Sequence, residues 1–456
     1  MKDSASFRDP AGFILKDHGK IFRVIRDNYK LNFDFLLDSG LYKKLLHDNL
    51  IIEHKEVVSK TYVDDQYKLL EVKNIKYITY PYEWSFSQYK DAALLTLNIQ
   101  RHCVDFGMKL KDATPYNIQF INNKPIFIDS LSFEKVEDNY AWEAYRQFCE
   151  MFLGPLYLMS KIDPKLSELL VTNINGLNLN FINKFLGFKD YFNLSALTHL
   201  IIPNIIAKKG EQKNVTQKNV KISKTQHLNI LNQLINFIEN LKIKNFKTTW
   251  SDYNISTLEQ RGSYYKDKKN TIFSFLNQKK YSLIWDIGAN NGVFSREFFS
   301  KVSKDVISLD IDWSCVEENY LINKKNNTNN VFPLVLDLSN PSPSIGWNNE
   351  ERPSIYKRIG SPDLISCLAL IHHVIKENIP LEYFLNFLYE CSLNFVLIEY
   401  VPLSDPKCQE IFKSTIHNLN YPTKEEFEKL LNKNFIINKM KILNETERVL
   451  YFVEKK

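Results

Sequence analysis

From about Tyr281 onward, short apolar runs rich in β-branched residues alternate with stretches of helical period. The predicted strands are Tyr281 to Asp286, Val306 to Asp310, Val331 to Asp337, Asp363 to Ala369 and Phe395 to Tyr400. Phe294 to Lys301, Trp313 to Lys324 and Leu381 to Cys391 read as helices between them. Strand and helix in repeated alternation argue for a parallel sheet covered on both faces. The end differs: after a helix at Lys424 to Leu431, the runs Phe435 to Ile442 and Arg448 to Val453 flank the polar turn Leu443-Asn444-Glu445-Thr446. A hairpin makes that last pair antiparallel.

The first half follows another pattern. Gly12 to Ile25 reads as a hairpin turning at Asp17-His18-Gly19, Ser87 to Val104 as a helix, and 140–206 as core helices carrying Trp142, Tyr145, Phe148, Phe152, Leu153 and Leu156. Between Lys208 and Lys224 six lysines stand among Asn, Gln and Thr with only Glu211 opposing them. One-sided charge and few apolar residues cannot build a core, so a linker is expected there. Gln226 to Leu241, apolar at three- and four-residue spacing, reads as a connecting helix. The expected organisation is an α+β domain over 1–207, a linker and helix over 208–250, and an α/β domain over 251–456.

Composition narrows the class. In 456 residues the hydrophobic share is 44% and the net charge +6, with lysines and acids interleaved along most of the chain. That is an ordinary folded protein, and the charge points only weakly to an anionic partner. No run approaches the roughly 18 apolar residues of a membrane span, and the start lacks a signal-peptide core. A cytoplasmic protein is expected. The lysine-rich segment carries no interleaved aromatics to stack on bases, and no nucleic-acid motif is present. The six cysteines show no zinc-ligand spacing, so no metal is expected from them. Glycine is scarce, 13 in all, which makes the close pair Gly288 and Gly292 stand out.

That pair lies in Ile284-Trp285-Asp286-Ile287-Gly288-Ala289-Asn290-Asn291-Gly292, a strand running through a turn into a helix. Gly288 lets the backbone approach a ligand, Gly292 lets the helix start pack on the strand, and the helix N-terminus presents free N–H groups. With no ligand, the same turn would be plain strand-to-helix punctuation. Acids recur at the predicted strand ends, Asp310, Asp337 and Asp363, and ligands of open parallel sheets bind beyond the strands' carboxyl ends. Asp310 is placed to accept from ribose hydroxyls, Asp337 from an adenine amino group, and Trp313 to cover a base or simply to pack.

On these residues, 264–456 resemble a class I S-adenosylmethionine-dependent methyltransferase, with its Rossmann-like seven-stranded sheet and terminal antiparallel hairpin. The resemblance implies S-adenosyl-L-methionine as cofactor. It places the amino-acid end at Asp286 and the Gly288, Ala289, Asn290 and Gly292 backbone, the ribose at Asp310 beside Ile311, and the adenine near Asp337 and Leu338. An NAD-binding domain, the main rival, would carry G-x-G-x-x-G, which is absent. For the acceptor side, His372 and His373 follow the fourth strand, where either imidazole can act as base or merely cap the strand. Glu399 on the fifth strand is a second choice. The polar insertion Ser339 to Ser361, with Trp347, Tyr356, Arg352, Lys357 and Arg358, is expected to be a lid. The absence of Asn-Pro-Pro-Tyr after the fourth strand counts against the adenine-N6, cytosine-N4 and glutamine-amide branches of the family. The runs Pro341 to Trp347, Ala369 to His373 and Glu399 to Pro402 resemble a bacterial subgroup related to nodulation-protein methyltransferases. That implies a small-molecule or glycan substrate and O-methylation.

In the first half Asp112 and Asn117 stand five apart, and Asp129 follows twelve residues on. The spacing resembles the catalytic loop and metal-binding acid of kinase-like domains, which act on Mg-ATP. The glycine-rich loop and a V-A-I-K-like lysine are missing, and Ser130-Leu131 stand where Phe-Gly would follow the acid. A degenerate kinase-like domain, an active kinase and an unrelated α+β domain all stay open. So do three readings of the whole: a methyltransferase, a bifunctional kinase-methyltransferase and a non-catalytic scaffold with vestigial sites. Oligomeric state is not legible.

Overall fold

The hairpin expected at the start of the chain is present in the computed structural model, which describes every residue except 1, 4, 59–64, 137–139, 214–220, 245–261 and 414–420. Strands β1 (Gly12–Asp17) and β2 (Lys20–Arg26) pair antiparallel. His18 (φ 44°) and Gly19 (φ 76°) both take the left-handed conformation, the two-residue turn whose twist suits paired strands. With β3 (His54–Val57) and β4 (Gln66–Val72) they form a sheet ordered β1-β2-β4-β3. Two helices, Lys30–Asp38 and Leu41–His47, connect β2 to β3.

The helix expected over Ser87 to Val104 spans Phe86–Asp105 and starts with a capping box between Ser85 and Gln88. It leads to β5 (Met108–Leu110), which pairs with β8 (Phe133–Lys135), and to the hairpin of β6 (Ile118–Ile121) and β7 (Lys124–Phe127). Phe148, Phe152, Leu153 and Leu156 are buried in the helices that follow.

The chain divides into two units, Met1–Lys244 with Pro343–Ser354, and Asn245–Ser342 with Ile355–Lys456. The first unit therefore ends later than expected. The supposed connecting helix, Lys224–Asn240, buries Leu231, Leu234, Phe237 and Ile238 within that unit. The Lys90 ammonium donates to the carbonyls of Glu239 (2.7 Å) and Leu241 (3.0 Å) at its end. An apolar stripe needs a partner, and this one finds it on Phe86–Asp105. Of the expected linker, 208–213 continue the helix Ile202–Lys213, and 214–220 lie outside the described residues.

The second unit is built on one sheet: β9 (Tyr281–Ile287), β10 (Ser303–Asp310), β11 (Val331–Val335), β12 (Leu364–Cys367), β13 (Phe395–Tyr400), β14 (Phe435–Ile442) and β15 (Val449–Lys455). Their order is β11-β10-β9-β12-β13-β15-β14, parallel from β11 to β13, with β15 antiparallel to both β13 and β14. β9 sits centrally because it is apolar on both faces, Leu283 through Ile287 being buried, as a strand covered by helices on both sides must be. The helix Gly262–Leu276 packs Ile272, Phe275 and Leu276 into a core with Leu364, Leu397, Leu450 and Phe452. Each fully buried side chain of this kind contributes about 1.5–3 kcal/mol.

Candidate active site

The carboxyl edge of the sheet is organised by the turn leaving β9. Gly288 (φ 72°) and Gly292 (φ 73°) are left-handed, and a Cβ on Gly292 would lie 2.3 Å from the Asn319 amide nitrogen. Only glycine fits there. Asn319 is held in turn by Arg296 and by Ser308 Oγ, to which its amide donates at 2.8 Å. The N–H groups of Gly288 and Ala289 donate to Leu309 O at 2.9 and 3.0 Å. Asp310 closes the arrangement from β10. Its carboxylate accepts from the N–H of Asn290 at 2.6 Å and of Asp312 at 2.8 Å, so one side chain ties the glycine turn to the neighbouring strand end. Asp312 then caps the helix Trp313–Asn326, accepting from Ser314 N–H at 2.9 Å.

Asp286 is 2% exposed, and its carboxylate accepts from Ser295 Oγ at 2.6 Å. Burial, with no cationic partner in contact, pushes its pKa up to about 7. Burial likewise lifts Asp310 to about 6, against the backbone N–H groups it accepts from. Asp310 adds to the repulsion felt by Asp286. Neither carboxylate forms an ion pair among the described residues, and Lys268, the cation that acts on Asp286 from a distance, is itself paired with Glu399.

The other expected cofactor residues fall along the same edge. Ile311 is 54% exposed beside Asp310, an apolar surface suited to a ring. Leu336 N–H donates to Asp310 O at 2.8 Å, which brings the exit of β11, with half-buried Asp337 and Leu338, next to it. Asp337 caps its own turn, accepting from the Ser339 N–H (2.8 Å) and hydroxyl (2.6 Å). Asp363 is at the wrong end. It precedes β12, and its carboxylate accepts from the N–H groups of Ser282 and Leu283 at the amino edge, opposite the crevice.

On the acceptor side, Leu370 packs against the glycine turn, where a Cβ on Gly288 would meet it at 3.1 Å. His372 and His373 open the short helix Ile371–Lys376, their ring centroids 4.3 Å apart. Burial, then mutual repulsion and Arg448, hold His372 down to about 3, and burial holds His373 down to about 4. Both imidazoles are neutral at physiological pH, and His372 Nδ1 has no hydrogen-bond partner among the described residues. A neutral imidazole of such low basicity accepts a hydrogen bond well and removes a proton poorly.

Glu399 is not available as a base. It is fully buried, and its carboxylate accepts from Tyr264 (2.8 Å), Lys268 (2.6 Å) and Arg448 (3.4 Å). Burial would raise its pKa, but Lys268 and Arg448 outweigh that and hold it near 2. Arg448 also grips Asp405 through two bonds of 2.8 and 3.0 Å. Two cations and two anions thus cancel inside the unit, joining the helix Gly262–Leu276, β13 and the start of β15. Sequence reading missed Tyr264, Lys268, Asp405 and Arg448, which lie far apart in the chain. The one local signal was an arginine set directly before an apolar strand. Beside this network an open cavity of about 490 Å³ is lined by Tyr264, Ser404, Asp405, Glu445, Thr446 and Glu447. Tyr400 pairs with Val449, so the cavity lies at the carboxyl edge, on the acceptor side.

The insertion Ser339 to Ser361 is a fastened segment rather than a free lid. Its Pro343–Ser354 part belongs to the first unit, where Glu351, 1% exposed, accepts from Arg8 at 2.6 and 2.7 Å. Tyr356 stacks on Trp285 with ring centroids 6.0 Å apart. Tyr356 and Arg352 are thus bound by partners invisible to local sequence, Arg352 lying over the Tyr116 ring at 4.4 Å, whereas Trp347 stays 75% exposed.

In the first unit, Asn117 Nδ2 donates to Ser132 Oγ at 3.0 Å, and Ser132 Oγ donates to Asp129. Asp129 also pairs with Arg23 of β2 and accepts from Leu131 N–H. Burial would raise the Asp129 pKa, but Arg23, Ser132 and Leu131 overcome it and leave the carboxyl below its usual range. Burial raises Asp112. A site for Mg-ATP needs a carboxylate open to a cation, and Asp129 is already filled by a guanidinium. The residues present do not fit that group. Among the described residues no His, Cys, Asp and Glu cluster could hold a metal ion.

The strand order, the single reversed strand β15 and the glycine turn at the carboxyl edge make the second unit a Rossmann-like α/β domain with a seven-stranded sheet. No family model matches the chain. Over 99% of its length the chain is 28% identical to the nodulation protein NoeA of Rhizobium meliloti (strain 1021), of which it spans 96%. Solved structures with local likeness include magnesium protoporphyrin IX methyltransferase ChlM from Synechocystis PCC 6803, at 14% identity over 43% of this chain and 86% of that one, TM-score 0.31. Another is the N-methyltransferase NodS from Bradyrhizobium japonicum WM9, at 9% identity over 43% of this chain and 99% of that one, TM-score 0.31.

Proposed function

We propose that the protein transfers the methyl group of S-adenosylmethionine to an oxygen, or another heteroatom, of a small molecule or glycan. The observation that carries the reading is the left-handed Gly288 and Gly292 turn at the carboxyl edge, with Asp286 on the strand before it and the Asp310 carboxylate accepting from the Asn290 N–H at 2.6 Å. S-adenosylmethionine supplies a sulfonium-activated methyl group and carries an ammonium, so its cationic end suits unneutralised carboxylates. A dinucleotide would set its phosphates against the same acids. Asp286 and the carbonyls of the Gly288 to Gly292 turn are the acceptors an ammonium requires, since the Gly288 and Ala289 N–H groups are already spent on Leu309. Asp310 keeps a lone pair on each oxygen for ribose hydroxyls, and Ile311, Asp337 and Leu338 line the next stretch of the edge.

The acceptor enters from the side of His372 and the cavity by Tyr264. Neutral His372 accepts a hydrogen bond from the acceptor's hydroxyl and aims its oxygen at the methyl carbon. As the C–O bond forms and the C–S bond breaks, with S-adenosylhomocysteine as leaving group, the hydroxyl proton, now strongly acidic, passes to the His372 imidazole and on to water, while His373 supports the ring. Alignment of two reactants is the main requirement of such a transfer. The cavity's hydroxyl and carboxylate lining suits a polyhydroxylated or amino-bearing compound better than an apolar one. The test is transfer of labelled methyl groups to a panel of sugars and oligosaccharides, with product mapping. His372→Ala is expected to lower kcat about 10- to 100-fold, and wild-type turnover in both His372→Ala and His373→Ala would remove both from the mechanism.

For the first unit we propose a degenerate kinase-like domain that binds or scaffolds without turning over ATP. The sheet order β1-β2-β4-β3 with helices between β2 and β3, the helix Phe86–Asp105 and the loop bearing Asp112, Asn117 and Asp129 support it. Arg23 on Asp129 disfavours a bifunctional kinase-methyltransferase.

A further inference from the structure

Of 22 large apolar side chains exposed among the described residues, eight fall between 185 and 206: Phe185, Phe188, Tyr191, Phe192, Leu194, Ile202, Ile205 and Ile206. That is over a third of them in about a twentieth of the chain, a density that scattered surface hydrophobes do not reach. The short helices that carry them are mutually fastened. Asn183 Nδ2 donates to Leu200 O at 2.8 Å, the rings of Phe188 and Phe192 meet edge-on at 5.1 Å, and Asp190 locks the 188–192 turn to Tyr157 and Lys161. Ile201 and Asn204 face inward in the helix region around Ile202–Lys213, and Ile202, Ile205 and Ile206 form an outward stripe at three- and four-residue spacing.

Within residues 169–208 the exposed charges have one sign. Lys184, Lys189 and Lys208 are exposed, and the only acid between 169 and 208, Asp190, is buried and already holds Lys161 and the Tyr157 hydroxyl. His199, also buried, is held down to about 4 and stays neutral. Exposed aromatics and isoleucines rimmed by lysines, without an exposed anion, match the chemistry of a bilayer interface, where rings enter the headgroup level and lysines meet lipid phosphates. No helix among the described residues is long and apolar enough to cross a membrane, so contact of this kind is with the surface.

We infer that the face formed by residues 185–206 of the first unit docks on the surface of an anionic phospholipid bilayer. Phe188, Phe192 and Ile206 insert, and Lys184, Lys189 and Lys208 engage the phosphates. This goes beyond the methyl-transfer reading and does not depend on it.

Flotation of the full chain with vesicles of equal parts phosphatidylglycerol and phosphatidylcholine tests it, with pure phosphatidylcholine as comparison. Binding is expected on the anionic vesicles, weaker by at least about tenfold on neutral ones and in high salt. The triple variant Lys184→Glu, Lys189→Glu, Lys208→Glu and the double variant Phe188→Ser, Phe192→Ser should each lose about tenfold or more while keeping the wild-type circular dichroism. No binding by folded wild-type protein, or binding that both variants leave unchanged, overturns the inference. So does a stable dimer, seen by sedimentation, that the Phe188→Ser, Phe192→Ser variant dissociates, because the face would then be a self-interface.

Discussion

Asp286, buried, and Asp129, part-buried, are both acids near the end of a strand, and they have opposite surroundings. Asp286, with Asp310 beside it, meets hydroxyl and backbone groups but no cation, and its pKa rises to about 7. Asp129 is met by Arg23 and two further donors, and its pKa falls. Glu399, in the same unit as Asp286, belongs with Asp129: Lys268 and Arg448 complete it. A desolvated carboxylate without a protein counter-ion marks a place where a ligand finishes the electrostatics. A carboxylate with its cation in place is architecture.

The largest effect expected from breaking this contrast is at Glu399. Glu399→Gln leaves Lys268 and Arg448 partly unpaired inside the unit, so unfolding free energy should fall by about 3–5 kcal/mol in denaturant titration. Unchanged stability with an altered pH profile of turnover would instead restore Glu399 as a base. Next comes Asp310→Ala, which removes the tie between turn and strand along with the ribose acceptor. Affinity for S-adenosylhomocysteine should drop about 100-fold, as expected for losing one or two bonds to a charged group.

Asp129→Asn probes the other side. It should cost about 2 kcal/mol through the lost Arg23 pair and leave methyl transfer of the folded protein unchanged. A loss of ATP-dependent activity in this variant would reverse the assignment of the first unit.

The smallest effect is on pH. Asp286 and Asp310 hold protons in the folded chain that an unfolded chain releases near pH 4. Stability of the unliganded protein should therefore fall as pH rises from about 4 and level off above the folded values of about 6 and about 7. Cofactor affinity should rise as pH passes those folded values, by several-fold, as both acids become anionic. Thermal unfolding with and without S-adenosylhomocysteine from pH 5 to pH 8 checks both signs.

Much of the second unit is legible from local pattern. The five apolar runs, the helices between them and the closing hairpin all fall where periodicity places them, and the glycine pair marks the crevice because only glycine tolerates those backbone angles. Misreadings share a cause. Asp363 groups by pattern with the acids at strand ends, but it stands directly before β12 (Leu364–Cys367) and so opens that strand, which puts its carboxylate at the amino edge. Glu399 resembled a free acid because Tyr264, Lys268 and Arg448 are 135, 131 and 49 residues away. Arg23 sits 106 residues from Asp129, and Arg8 lies 343 from Glu351. Which acids are paired is decided by tertiary contact, which spacing along the chain does not carry.

The most direct test of the contrast is calorimetric titration of the full chain, and of its Asp310→Ala variant, with S-adenosylhomocysteine, Mg-ATP and NAD. The account predicts saturable heat for S-adenosylhomocysteine, its loss in the variant, and none for Mg-ATP or NAD. A folded sample that ignores S-adenosylhomocysteine, or that binds Mg-ATP despite Arg23, would contradict it.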